Sequence, residues 1–199
     1  MRLAALFLTF SVLLCAQDAD VKARVRGVRD LAKQGDPAKI APYLGDADLN
    51  VRLEATKALV DIGGPKTVDP LVTATRDNDS EIQIRATDGL VNVYLPGYTK
   101  SGIAGTLQRA GTAVKARFTD TNDQVIDGFV QVPATVTDAI ARLVSGGAGL
   151  DVRANAARAL GILRAKPATT QLVDALRSKD NLIMYESLIA LQKINDPSV

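Results

Sequence analysis

Val51-Arg52-Leu53-Glu54-Ala55-Thr56-Lys57-Ala58-Leu59 decides how the chain is read, because the pattern returns along the sequence. It is echoed by Ile82-Gln83-Ile84-Arg85-Ala86-Thr87-Asp88-Gly89-Leu90, by Val152-Arg153-Ala154-Asn155-Ala156-Ala157-Arg158-Ala159-Leu160 and by Ile183-Met184-Tyr185-Glu186-Ser187-Leu188-Ile189-Ala190-Leu191. The first two copies, and the last two, are offset by roughly 31 residues, while the interval between the second and third is longer. Periods of this size belong to solenoids, in which each repeat is one supersecondary unit. A weaker copy opens at Ala23-Arg24, with Gly27 and Leu31.

The aliphatic and small residues of each copy gather on one face of a helix, and none of the copies alternates with the period of a strand. Ala55, Ala58, Ala86, Gly89, Ala156 and Ala159 are small where a neighbouring helix must come close, and Leu59, Leu90, Leu160 and Leu191 are placed to fill the core between layers. Asp48, Asp79 and Asp180 precede three of the copies at one spacing and are read as N-caps, whose side chains accept backbone N–H bonds at a helix start. Gly63-Gly64 followed by Pro65 reads as a stop and a new start, as do Gly35 with Pro37 and Lys166-Pro167. Second helices are expected over Pro37 to Leu44, Pro65 to Thr75 and Pro167 to Leu176. Each unit is then a helix, a tight turn, a second helix and a short Asp-bearing loop, and no unit can hide its apolar face alone.

The resulting reading is an all-α fold, an α-solenoid of stacked antiparallel helix pairs. Asp48 with Val51-Arg52, and Val152-Arg153 with Ala159-Leu160-Gly161, resemble the signature of HEAT repeats, including the short bacterial form of phycobilisome lyases. That resemblance, to a HEAT or armadillo-like architecture, covers the chain after its first residues apart from the middle. It implies a right-handed superhelix of roughly five helix pairs. It also implies a scaffold that binds other proteins, with a chromophore lyase or lyase-like chaperone as an alternative. The curved inner surface, lined by second helices, is the expected contact.

Pro96 to Val132 breaks the period. Ile103, Leu107, Ala110, Val114 and Phe118 recur at helical spacing within Gly102 to Phe118, Asp120 to Asp127 reads as a polar loop, Phe129 to Val132 as a short extended link and Ala134 to Val144 as the second helix of the interrupted unit. The region about 96–132 is therefore an enlarged loop inside one repeat, and insertions of this kind often mark a binding face. The last unit reads as incomplete, with Asn195-Asp196-Pro197-Ser198-Val199 where a second helix is expected, so either the sequence is a fragment of a longer one or a partner or a second copy of the chain is expected to cap it.

The first residues differ from the rest. Arg2 is followed by an uncharged run from Leu3 to Ala16, ending where Asp18 and Asp20 restore charge. This describes an export signal over residues 1–17, with the solenoid over 18–199. The run falls short of the about 20 apolar residues a stable membrane span needs. An exported protein, periplasmic or secreted, is expected. Cys15 leaves a lipidated form as a second option, against which the bulky Leu14 stands. Cys15 is the only cysteine, so its loss with the signal leaves no disulfide.

Chemistry is constrained by what the sequence lacks. There is no histidine, which removes the commonest general base and metal ligand. HEAT-like deoxyhypusine hydroxylases, which hold iron with His-Glu pairs, have no counterpart to those pairs here. Asp120, Asn122, Asp123 and Asp127 miss the EF-hand spacing after the second ligand. Gly146-Gly147-Ala148-Gly149 lacks the Lys and Ser or Thr of a phosphate loop. No catalytic residue, cofactor or metal is assigned. A net charge of +2 with 4% aromatic residues argues against nucleic acid. Arg52, Arg85 and Arg153 are read as a structural row able to pair with loop carboxylates of adjacent units. Leu59→Ala or Leu160→Ala is expected to cost about 2–5 kcal/mol in urea unfolding, whereas changing an Asp in the Asp120 loop should cost little.

Overall fold

A computed structural model describes residues 19–98 and 124–196. The expected export segment, the helix expected over Gly102 to Phe118 and the first part of the Asp120 loop lie outside the described residues. The first unit pairs a helix over 19–34 (α1) with Pro37–Ile40 (α2), which runs on into a 3-10 turn at Ala41–Gly45. Leu49–Ile62 (α3) is followed by a 3-10 turn at Pro65–Thr67 and Val68–Ala74 (α4). Ser80–Tyr94 (α5) and Ala134–Gly146 (α6) form the interrupted unit. Leu150–Ile162 (α7) leads through Lys166–Ala168 into Thr169–Ala175 (α8), and Asn181–Ile194 (α9) follows. Among the described residues there is no strand.

Helix starts follow from the loop chemistry. The carboxylates of Asp48, Asp79 and Asp180 each accept two backbone N–H groups, from Asn50 and Val51, Glu81 and Ile82, and Leu182 and Ile183. These bonds satisfy donors that the first helical turn leaves unpaired. α7 starts at Gly149 without a side-chain cap, as its sequence implies. Helix stops use the left-handed backbone: Gly35, Gly63 and Gly64 have φ of 67°, 63° and 78°, and at the end of α7 this conformation falls to Arg164 at 47°. Each proline-led second helix opens on or runs into a 3-10 turn, because proline suits a first turn but offers no N–H.

First helices stack on first helices, α3 on α5, α5 on α7 and α7 on α9, while α4, α6 and α8 make a parallel second row. Val51, Ala55, Leu59, Ile82, Ala86, Leu90, Ala156 and Leu160 are all fully buried, so the recurring positions of the motif are the core. Leu191, at the same register in α9, is half-buried. Layers come very close: a Cβ on Gly89 would lie 2.7 Å from Val60 Cγ2, and one on Gly161 would lie 2.6 Å from Ala190 Cα.

The insertion leaves this stack intact, since α5 touches α7 directly. Its two described ends both stand on α7: the Tyr98 hydroxyl meets Arg158, and the Ile126 N–H donates to the Ile162 carbonyl at 2.9 Å. The link expected to be extended from Phe129 starts in a turn at Gly128-Phe129, closed by the Val130 N–H on the Asp127 carbonyl at 3.0 Å.

Two substitutions test the packing with opposite signs. Helix propensity alone would make Gly161→Ala stabilising by about 1 kcal/mol. The backbone of α9 leaves no room for the methyl, so a loss of about 1–3 kcal/mol is expected. Arg164→Gly relieves a left-handed backbone and should gain about 1 kcal/mol. Urea midpoints of the two variants read both.

Candidate functional site

Three lines of side chains run along the stack, and a fourth feature lies at its end. The first line falls at the second position of the recurring motif in α1, α3, α5 and α7 and ties units through their loops. Arg24 pairs with Asp46 at 2.9 Å and Arg52 with Asp77 at 2.7 Å, each reaching the loop ahead of the next first helix. Arg52 Nη1 also donates to the Asp46 carbonyl at 3.0 Å. Gln83 takes the same role, its Nε2 donating to the Asp77 carbonyl and its Oε1 accepting from the Ala148 N–H at 2.9 Å. Arg153 donates to the Gly147 carbonyl at 3.4 Å.

The expected row of Arg52, Arg85 and Arg153 is corrected here. Gln83 holds the register, and Arg85 sits two residues on, about 200° around the helix. Arg85 pairs with Glu81 of its own helix at 2.6 Å instead. Asp46 and Asp77, which also accept the N–H of Asp48 and Asp79, escaped the sequence reading although Asp-x-Asp recurs at both loops.

The second line is polar and crosses the first helices on another face. Arg29 donates to both Glu54 oxygens, at 2.8 and 3.1 Å. The hydrogen bond from Arg29 is the main reason the Glu54 carboxyl sits below the ordinary carboxylate range, outweighing the effect of burial. Deeper in the stack, Asn155 Nδ2 donates to Asp88 Oδ1 at 3.0 Å, and Arg158 donates through Nε and Nη2 to both oxygens of Glu186. Arg158 and Glu186 are 7% and 4% exposed, so this pair is in the core while Arg29 and Glu54 are at the surface. Burial alone would lower the Arg158 pKa, but the bond to Glu186, with the negative charges of Glu186 and Asp88, raises it and keeps the guanidinium charged. Burial pushes the Tyr98 hydroxyl well above its usual value, so it stays protonated beside this pair.

The third line is the aliphatic core already described. Asp48, Asp79 and Asp180 therefore sit at helix starts, Ala55, Leu59, Leu90, Ala156 and Leu160 in the core, and Arg52, Arg85 and Arg153 on polar faces. The structure brings none of them together into a pocket. Among the described residues no group of His, Cys, Asp and Glu is placed to hold a metal ion, and no helix is long and apolar enough to cross a membrane.

The fourth feature is the outward face of α9. Leu188 is 58% exposed and Tyr185 40%. Leu188 stands at the register of Thr56, Thr87 and Ala157, which are buried beneath the following first helix. Tyr185 stands at the register of Ile84 and Ala154, which are buried, and of Leu53, which is half-buried. An exposed pair of large side chains one turn apart is a candidate contact among the described residues. The period carried the signal for it, because the copies align residue by residue.

Removing one member of the two ion pairs should separate their roles. Glu186→Ala leaves a charge buried without its partner and is expected to cost about 3–5 kcal/mol in urea unfolding. Glu54→Ala should cost about 1 kcal/mol or less. Since folding lowers the Glu54 pKa, its contribution is complete above the unfolded value and is lost as pH falls through the folded one. The stability gap between wild type and Glu54→Gln should thus hold from neutral pH into mild acid and close on further acidification.

Two family models match the chain: HEAT repeats over residues 11–91 and the PBS lyase HEAT-like repeat over residues 152–178, together just over half of the chain. No curated protein matches. Among solved structures the chain is similar to human deoxyhypusine hydroxylase in complex with glycerol, at 13% identity and a TM-score of 0.53, covering 80% of this chain and 43% of that one. The chain thus spans less than half the length of that structure. An engineered protein aligns at 19% identity and a TM-score of 0.47, covering 86% of this chain and 67% of that one. The matched segments are the ones whose first helices carry the recurring apolar face and stack on one another, and that agreement supports a HEAT repeat family.

Proposed function

We propose that the chain is a non-catalytic scaffold of the envelope or secreted space, which binds a partner protein along its helical surface and through the outer face of α9. Export rests on the charged start and short apolar run of residues 1–17. The non-catalytic reading rests on the absence of histidine and on polar side chains that are occupied in holding helices together. One observation carries the choice of surface: Tyr185 and Leu188, one helical turn apart on α9, are large side chains left exposed.

The occupant this face suits is another helix, from a following segment of a longer chain, from a partner or from a second copy. Covering a leucine fully is worth about 1.5–3 kcal/mol, and a stable complex buries roughly 1,200 Å² or more in total, which a helix laid along α9 with its neighbour can approach. The match to the PBS lyase HEAT-like repeat favours a lyase-like chaperone as the second reading. Such a chaperone would act on a chromophore-bearing partner.

A photo-cross-linking residue placed at Leu188, with another at exposed Lys33 as control, tests the surface in the native cells. The expected result is one defined cross-linked product from position 188, either a partner protein or the chain's own dimer, in the exported fraction. Equal diffuse labelling from both positions, or a chain retained in the cytoplasm, would contradict the proposal. Leu188→Asp should abolish the product without lowering the unfolding free energy in urea by more than about 0.5 kcal/mol, since the side chain is exposed.

A further inference from the structure

Where the insertion rejoins the stack, its returning segment, the turn after α7 and the end of α9 enclose an open groove of about 480 Å³. Val130 and Val132, two residues apart on non-helical backbone with exposed Gln131 between them, turn partly buried side chains towards it. Ile126 and Leu163, both buried, continue the apolar lining. Arg164 and Lys166 bring positive charge to the same groove, where Asp127 is the carboxylate among the described lining residues. Phe129, 83% exposed, stands beside it at the tip of the Gly128-Phe129 turn.

Arg164 is the informative residue. It adopts φ of 47° at a helix stop where α1 and α3 use glycine. A basic residue suits a helix C-terminus, but Gly35 and Gly63 end their helices with no charge at all. The fold therefore does not require arginine here, and the backbone strain is tolerated for the sake of its side chain. Its guanidinium lies 3.9 Å from the position a Cβ on Gly128 would take, so it reaches across the mouth of the groove to the insertion.

We propose that this groove binds an acidic peptide segment of another protein, in extended form, with aliphatic side chains on the valine wall and carboxylates against Arg164 and Lys166. Charge complementarity selects the acidic peptide, and the apolar wall between the cations selects a peptide over a polyphosphate backbone. The exposed Phe129 supplies the kind of aromatic anchor that dominates protein contacts. The proposal rests on the scaffold reading but uses a different surface from the outer face of α9. Because the groove exists only where the insertion returns, it is a property of this unit and not of the repeat in general.

Fluorescence anisotropy on the full chain tests it, with a short fluorescein-labelled peptide alternating glutamate and leucine as the probe. The wild type should bind, and added salt should weaken binding. Arg164→Gly, which suits the local backbone and keeps the fold, should weaken binding roughly threefold, and combined with Lys166→Glu roughly tenfold or more. Leu188→Asp should leave peptide affinity unchanged, so the groove and the α9 face succeed or fail separately. The proposal is overturned if the wild type does not bind the probe or if lysine in place of glutamate binds as well. It is equally overturned if a thymidine oligonucleotide displaces the probe more strongly than unlabelled peptide, or if the double variant with wild-type circular dichroism binds like the wild type.

Discussion

The structure depends on how closely one first helix can lie on the next. The bulk at the crossing is set by Gly89 against Val60 and Leu71, and by Gly161 against Ala190. Where the backbones approach this far, Leu59, Leu90 and Leu160 at the ends of their motifs become fully enclosed, and dispersion contacts accumulate without large side chains. The absence of tryptophan and the scarcity of aromatics then follow as consequences, because a bulky residue at these crossings would push the layers apart.

Polar groups organise this packing without supplying most of its stability. The Arg24 to Asp46, Arg52 to Asp77 and Gln83 to Ala148 links sit at one register and join each loop to the one before, so they oppose slippage of one unit along its neighbour. Arg158 and Glu186 make the corresponding connection from inside the core, between α7 and α9. Such a pair contributes less than its Coulomb energy suggests because both ions have left water, yet its loss from one side is severe. The insertion takes advantage of the same rigidity: both its described ends rest on α7, one helical turn apart at Arg158 and Ile162, and the stack closes beneath it.

Most of the fold was legible because its determinants are periodic. The caps at Asp48, Asp79 and Asp180, the stops at Gly35 and Gly63, and the buried leucines could be read from spacing and residue type. Two kinds of feature were not. Arg85 resembles its neighbours in the sequence, but a two-residue shift moves a helical side chain to another face, so residue type without register misplaced it. Contacts between units, such as Arg158 with Glu186, depend on which helix turns lie opposite each other, and a single chain does not encode that as a local pattern. The exposure of Leu188 has a mixed status. Its register was available from the alignment of the copies, whereas the uncovered surface around it is a property of the assembled stack.

The direct test of the account is the proximity of successive first helices, measured by nuclear Overhauser contacts in the isotopically labelled chain. Cross-peaks are predicted between the α protons of Gly161 and the methyl group of Ala190, and between those of Gly89 and a methyl group of Val60. A chain that is helical but lacks both contacts would contradict the stacking on which the fold and both proposed surfaces depend.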